Sequence, residues 1–370
     1  MKVELSCFVN RYGQFSEVFL EQLFSGLSKN AAIEVISFSE TDVLSTEKLM
    51  IRRSPAYTSI GFIVRLPYLL FLLKAWNVRQ AYRLYLIRNC RAPRVYFPFI
   101  GMTRDFAAVM HKTNKKLYTS VRGTDITVVP RQQPVVLEHY RQAAKYLTGV
   151  HFLSEELQEI AHGYGVSFSH EKVIYQGLDT SKFKFNHNAP TDRLRLITVG
   201  RLHFIKGLEL LLLSCFYLKR EGVDFTLTII GDGEGLSGLR HLSHYLGLHD
   251  QVIFRGRMAH AEILSHYFSS NVYVHTHLVS GVSNTMLEAL ACNLRVVCFD
   301  SNLKRYTRSE LAKVMTEVPV GDVMALKEKL VLISEKKDYG NDPTEVVECL
   351  APFSVSKHIA EFATFFDMES

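Results

Sequence analysis

Twice along the 370 residues, short apolar runs alternate with segments of helical period, and this alternation constrains the fold more than any other feature. In the first half KVELSCFV, AIEVISFS, RVYFPFIG, KLYTSVRG, GVHFLS and KVIYQGLD read as strands. Helical spacing between them predicts helices over SEVFLEQLFSGLSKN (with Ser16 as N-cap), the basic stretch after Glu47, and residues near 102–113, 136–147 and 154–164. In the second half RLITVG, FTLTIIGDGEG, QVIFRG, VYVHTH and LRVVCFD are strand-like. GLELLLLSCFYLKREG, LSGLRHLSHYLG, HAEILSHYFSS and the stretch after Asn284 are helix-like. Parallel strands need a crossover of a dozen or more residues, and the helices that supply it cover both sheet faces. The expectation is an α/β protein with two Rossmann-like domains facing a cleft, whose ligands bind outside the carboxyl ends of the strands. The polar, proline-containing SKFKFNHNAPTD is the expected linker. It sets domains at 1–184 and 185–352, with 353–370 as a C-terminal helix crossing back to the first on Phe353, Ile359, Phe362 and Phe365.

Charge is uneven. Residues 1–180 carry 22 Lys/Arg against 15 Asp/Glu, and the remainder carries 21 against 22. Between Glu47 and Asp105 there is no acid, while eleven Lys/Arg from Lys48 to Arg104 interleave with Phe62, Ile63, Tyr68, Phe71 and Trp76. Basic and apolar together point to an anionic membrane surface, on the inner, cytoplasmic face of the plasma membrane. A membrane span over 56–73 is disfavoured, because Arg65 at its centre costs about 2.5 kcal/mol or more at mid-bilayer. No recognised motif accompanies the basic stretch that would argue for nucleic acid. The six cysteines have no CxxC spacing and read as reduced thiols.

Three segments carry chemistry. In TVGRLHFIKG a strand ends at Gly200, and Arg201 and Lys206 lie in the loop and helical turn that follow, a pattern suited to a diphosphate. IIGDGEGLSGL contains Gly233-x-Gly235-x-x-Gly238, which matches a dinucleotide fingerprint. That motif lies in the second strand–helix turn of its domain, and the next strand ends Phe254-Arg255-Gly256 with no acid for a ribose. A tight turn is therefore its expected role, and nicotinamide or flavin its disfavoured one. In SGVSNTMLEAL, Gly281 allows close backbone approach, and Ser283, Asn284, Thr285 and the first helical amides face a phosphate. Glu288, one turn on, is placed to accept both hydroxyls of a ribose.

The order GRL–five residues–KG, IIGDG, F-x-G and SG-x-x-N-x-x-x-EA-x-A resembles the donor domain of the retaining glycosyltransferases of family 4, which have the GT-B architecture. The likeness is close over 180–300. It extends weakly to Ser16-Glu17-x-Phe19, Arg122-Gly123-Thr124-Asp125-Ile126 and Tyr175-Gln176-Gly177-Leu178-Asp179. It implies that Arg201 and Lys206 stabilise the departing diphosphate of a UDP- or GDP-linked sugar. It further implies that Ser283, Asn284 and Thr285 hold the distal phosphate, Glu288 the ribose, and Arg255–Met258 the base. Glu17, Arg122 and Asp125 fall on the acceptor side. No metal and no cofactor beyond the donor are expected. The acceptor implied is a lipid-linked or polysaccharide chain.

Two positions depart from the pattern. The family has Glu-x7-Glu, and this chain has Ser280-x7-Glu288, so the group beside the donor sugar is uncharged. Arg122 stands where many relatives have His and cannot serve as a base. Ser280 also motivates an alternative, a non-catalytic scaffold that binds a nucleotide sugar or a partner transferase.

Overall fold

The computed structural model describes residues 2–10, 12, 18–39, 45–54, 59–73, 78–106, 109, 112–183, 185, 192–279, 282–300 and 309–368. The chain divides into two compact units, Met1–Gly177 with Val355–Ser370, and Leu178–Ser354. Residues 178–184, expected with the first domain, thus belong with the second, and the return falls after Ser354 where 352 was expected.

The first unit is a seven-stranded sheet of β1 (Val3–Val9), β2 (Ala32–Ser37), β3 (Leu49–Arg53), β4 (Arg94–Phe97), β5 (Lys116–Val121), β6 (Gly149–Phe152) and β7 (Glu171–Val173). Its order is β3-β2-β1-β4-β5-β6-β7, and every pairing is parallel. The crossovers carry α1 (Val18–Leu27), α2 (Ile60–Leu73), α3 (Val78–Arg88), α4 (Val135–Ala144) and α5 (Glu155–Gly163). Ser154 caps α5, its Oγ accepting from the Leu157 amide. Ser16, the expected cap of α1, lies outside the described residues.

Two expectations are corrected. The basic stretch opens with an edge strand, β3, and not with a helix: Leu49 to Arg53 pair with Ile33 to Ser37. Near 102–113 the described backbone makes a 3-10 turn over Ile100–Asp105 where the expected helix would begin, and Val109 beyond it is α-helical. The pairing of β3 is tied to one buried carboxylate. Glu34 lies fully buried in β2, where its oxygens accept from Ser6 Oγ (2.6 Å), Arg52 Nε (2.8 Å) and the Arg91 amide (3.1 Å). Burial alone would raise its pKa, but these donors hold it below the ordinary glutamate value.

The second unit is a six-stranded parallel sheet of β8 (Leu194–Val199), β9 (Phe225–Ile230), β10 (Val252–Gly256), β11 (Val272–His275), β12 (Arg295–Phe299) and β13 (Met315–Val318). Its order is β10-β9-β8-β11-β12-β13. The helices are α6 (Leu208–Arg220), α7 (Leu236–Tyr245), α8 (His260–Phe268), α9 (Asn284–Ala291), α10 (Val323–Lys336) and α11 (Pro343–Leu350). Its core is aliphatic, with Leu194, Leu211, Leu212, Leu227 and Val297 fully buried.

The last helix, α12 (Val355–Phe365), belongs to the first unit. Phe362 and Phe365 are buried on it and meet Tyr96, Tyr118 and His151 edge-on at 4.7–6.2 Å. Phe353 instead lies in a 3-10 turn of the second unit. There its carbonyl accepts from the Leu178 amide at 2.6 Å, and Leu178 bridges Ser354. Just beyond, a Cβ on Gly177 would sit 3.2 Å from the Val355 Cα. The segment leaving the first unit and the segment returning to it therefore pass side by side at this bridge. Among the described residues no helix is long and apolar enough to cross a membrane.

Candidate functional site

The strand order of the second unit reverses between the neighbours β8 and β11. Loops leaving such a pair diverge to opposite faces and leave a crevice at their carboxyl ends. Four segments converge there.

The first two are the loop after β8 and the glycine turn after β9. The Leu202 amide donates to the Asp232 carbonyl and the Gly235 amide to the Leu202 carbonyl, both at 2.9 Å. Contact this close excludes side chains: a Cβ on Gly231 would meet the Gly200 oxygen at 1.8 Å, and one on Gly233 the Leu202 oxygen at 2.4 Å. Backbone approach therefore accounts for the glycines of the GDG turn. Gly238, third in the GxGxxG spacing, sits in α7 with open space around it.

The third is the end of β11. Lys206 ends a 3-10 turn, Phe204–Lys206, and Gly207 follows in the left-handed region at φ 58°. The Thr276 hydroxyl donates to the Lys206 carbonyl (2.9 Å), and the Leu278 amide to the Ile205 carbonyl (2.9 Å). These bonds set Lys206 beside His275 in a pocket lined also by Thr198, Gly200, Arg201 and Ile230. Burial, then the nearby Arg201 charge, lowers the Lys206 pKa. Among the described residues its ammonium has no hydrogen-bond or ion-pair partner. The pocket thus carries concentrated, uncompensated positive charge, the electrostatic condition for holding a polyanion.

The fourth is α9. Ser283 is its N-cap, with Oγ accepting from the Met286 amide at 3.4 Å. The amides of Asn284 and Thr285, in its first turn, have no carbonyl within the helix to donate to. The Thr285 hydroxyl bonds Tyr273 Oη (2.7 Å) and Ser283 Oγ (3.0 Å). Glu288 is buried one turn on, where Oε1 meets His260 Nε2 (3.1 Å) and Oε2 accepts from Tyr267 Oη (3.2 Å). The hydrogen bond to Glu288 raises the His260 pKa, and burial followed by the Glu288 charge raises that of Tyr267. Each carboxylate oxygen keeps lone-pair capacity for a further donor.

Among the expected site residues, the structure brings together Gly200, Arg201 and Lys206 around this pocket. Ser283, Asn284, Thr285 and Glu288 share α9 and its cap, which hydrogen bonds tie to β11 through Tyr273. Arg255 lies exposed at the end of β10. Ser280, Gly281 and Glu17 lie outside the described residues. Arg122 and Asp125 belong to the first unit. There the Arg122 guanidinium donates to the Pro98 carbonyl (3.2 Å), Gln176 Oε1 (3.4 Å) and Tyr96 Oη (3.3 Å), and covers the Phe19 ring at 4.1 Å. Asp125 accepts from the Arg122 amide (3.0 Å), and burial raises its pKa.

Sequence reasoning missed His260, Tyr267, Tyr273, His275 and His277. The signal for His275 was present: it lies near the carboxyl end of the strand-like VYVHTH, next to the position where a doubly wound sheet binds its ligand. Tyr267 and His260 offered none, since they reach Glu288 from 21 and 28 residues away.

The model of the glycosyl transferases group 1 family matches residues 179–345. An uncharacterized glycosyltransferase of Haemophilus influenzae is 30% identical over 115 residues, 31% of this chain and 32% of that one. A putative colanic acid biosynthesis glycosyltransferase of Escherichia coli, WcaL, is 27% identical over 171 residues, 44% of this chain and 42% of that one. The matched stretches thus span less than half the length of these curated relatives. Among solved structures, Anabaena HepE in complex with UDP and glucose superposes with a TM-score of 0.74 over 99% of both chains at 15% identity. That likeness shows the fold, two Rossmann-like parallel-sheet domains of the GT-B class.

Proposed function

We propose that this chain is a glycosyltransferase that moves a sugar, with retention, from a UDP- or GDP-linked donor to a glycan or lipid-linked acceptor in polysaccharide synthesis. The observation that carries the reading is the unpaired Lys206 ammonium beside Arg201 at the strand-order reversal, facing no acid among the described residues. Breaking the bond between sugar and nucleotide leaves a diphosphate whose growing charge must be stabilised, and preorganised cations supply that without reorganising. In this reading Arg201 and Lys206 take the diphosphate, and the first turn of α9 takes its distal phosphate. Glu288, held by His260 and Tyr267, takes the ribose, and Arg255–Met258 borders the base. The relatives' roles in glycan synthesis and the UDP held by HepE support this assignment.

The first unit, with Arg122 and Asp125, is the acceptor side. It meets an anionic membrane surface through α2. Ile60, Ile63, Val64, Tyr68 and Phe71 are each more than half exposed there, the last four lying three, four, eight and eleven residues after Ile60, beside the exposed Arg65. A second reading, a scaffold that binds a nucleotide sugar without turning it over, is favoured by Ser280 where an acid stands in the family pattern.

Calorimetric titration of UDP and GDP into the protein and into Lys206→Ala tests the site. Binding of one nucleotide, weakened about tenfold or more by the substitution, is the expected result. Equal affinity in both proteins would remove Lys206 from the site. Release of UDP or GDP from a panel of nucleotide sugars then separates transferase from scaffold.

A further inference from the structure

His275 is the last residue of β11 and lines the same pocket as Arg201 and Lys206. Only 3% of it is exposed, yet its Nε2 is buried with no hydrogen-bond partner among the described residues. The other ring nitrogen, Nδ1, lies 3.5 Å from Tyr273 Oη, and Tyr273 stacks on the imidazole. A buried polar nitrogen left unpaired costs stability, and such groups persist where a ligand or proton completes them. We infer that His275 is a further ligand of the anion in this pocket, taking a proton from solvent onto Nε2 as a diphosphate enters and donating it as a charge-assisted hydrogen bond. This rests on the reading of the pocket as an anion site.

The surroundings explain why the proton arrives with the anion. Around His275 the loop after β8 brings Arg201, His203 and Lys206, and the loop after β11 brings His277, whose ring is 5.5 Å away. The acids of the glycine turn are engaged otherwise. Glu234 meets His203 at 3.2 Å, and the Asp232 carboxylate accepts from the Gly233 amide. Cys298 is the register partner on β12, and the Thr285 hydroxyl and buried Glu288 are on α9. Burial first, then Lys206 and His277, holds the His275 pKa well below the ordinary histidine value. The same burial, with Lys206 and His203, takes His277 down to about 3. With the site empty, both rings are neutral at pH 7. A diphosphate reverses the sign of the local field and makes the protonated form the favoured one. Anion binding and proton uptake are then linked, so affinity rises as pH falls.

The test is titration calorimetry of inorganic pyrophosphate into the full chain at pH 7, in two buffers of different ionisation enthalpy. Pyrophosphate carries no ribose, so the His260–Glu288 pair is not engaged. The expected result is a proton uptake that His275→Gln reduces, with affinity about tenfold weaker. His277→Gln serves as the comparison variant. Equal proton uptake in His275→Gln and wild type would overturn the proposal while leaving the anion site standing. Should neither pyrophosphate nor UDP nor GDP bind the wild type, the anion-site reading falls first and this inference with it. Near-UV circular dichroism checks the fold of the variant. If it does not fold, the ring resonances of 13C-histidine-labelled wild type read the same event, and an unshifted His275 on saturation with pyrophosphate would overturn it.

Discussion

Glu34 is a charge in a strand whose every side chain is buried, and it survives there because it is saturated with donors. Removing one partner of a buried ion pair leaves the other uncompensated, at a cost of about 3–5 kcal/mol. Glu34→Ala should lower the melting temperature by roughly 6 °C or more. A melt indistinguishable from wild type would show that Arg52 finds water instead. The folded pKa of Glu34 is depressed, so its contribution is fully present above the unfolded value of about 4.3 and is lost as pH falls through the folded one. Acid melts of wild type should therefore steepen below about pH 4.3 relative to Glu34→Gln. At this scale the sequence was legible only where chemistry is contiguous. Gly200, Arg201 and Lys206 announce themselves within seven residues. The groups that orient Glu288 and complete the pocket meet only through the fold, from β11, α8 and α9.

Elements show the same division. Central strands such as β1, β2 and β12 are nearly continuous apolar runs because helices cover both faces, and that pattern is local. The edge strand β3 reads LMIRR, is half-exposed, and exists because Arg52 reaches Glu34 on the neighbouring strand. A basic pentapeptide beside a basic helix carries no local mark of that pairing. For α2 the apolar run beside basic residues was set against an anionic membrane surface. Among the described side chains of the helix only Phe62 and Leu69 are buried, while Val64 and Phe71 face outward. On the membrane reading, Val64→Glu with Phe71→Glu should lower co-sedimentation with vesicles containing anionic lipid by about tenfold or more. High salt should weaken wild-type binding through the basic residues alone. Wild type that ignores anionic vesicles altogether would remove the membrane from the proposed function.

At the scale of the whole molecule the first unit is closed by sequence from the far end of the chain. α12 covers Tyr96, Tyr118 and His151, and Phe362 is fully buried among them. Phe362→Ala should cost about 3–5 kcal/mol. Residues 1–177 alone should not fold, whereas joining Gly177 to Val355 through a short Gly-Ser linker should give a cooperative, monomeric unit. Size exclusion and thermal melts of the two proteins decide it, and a linked protein that aggregates like the truncated one would count against the closure. The side-by-side passage at Gly177–Leu178 and Ser354–Val355 has a consequence for how such chains diversify. Everything from 178 to 354 enters and leaves through one narrow gate, so it is topologically a cassette. Exchanging it for a homologous segment requires two splices a few ångströms apart and disturbs no strand of the host sheet. On the proposed reading, recognition of donor and of acceptor would in that sense be separately heritable.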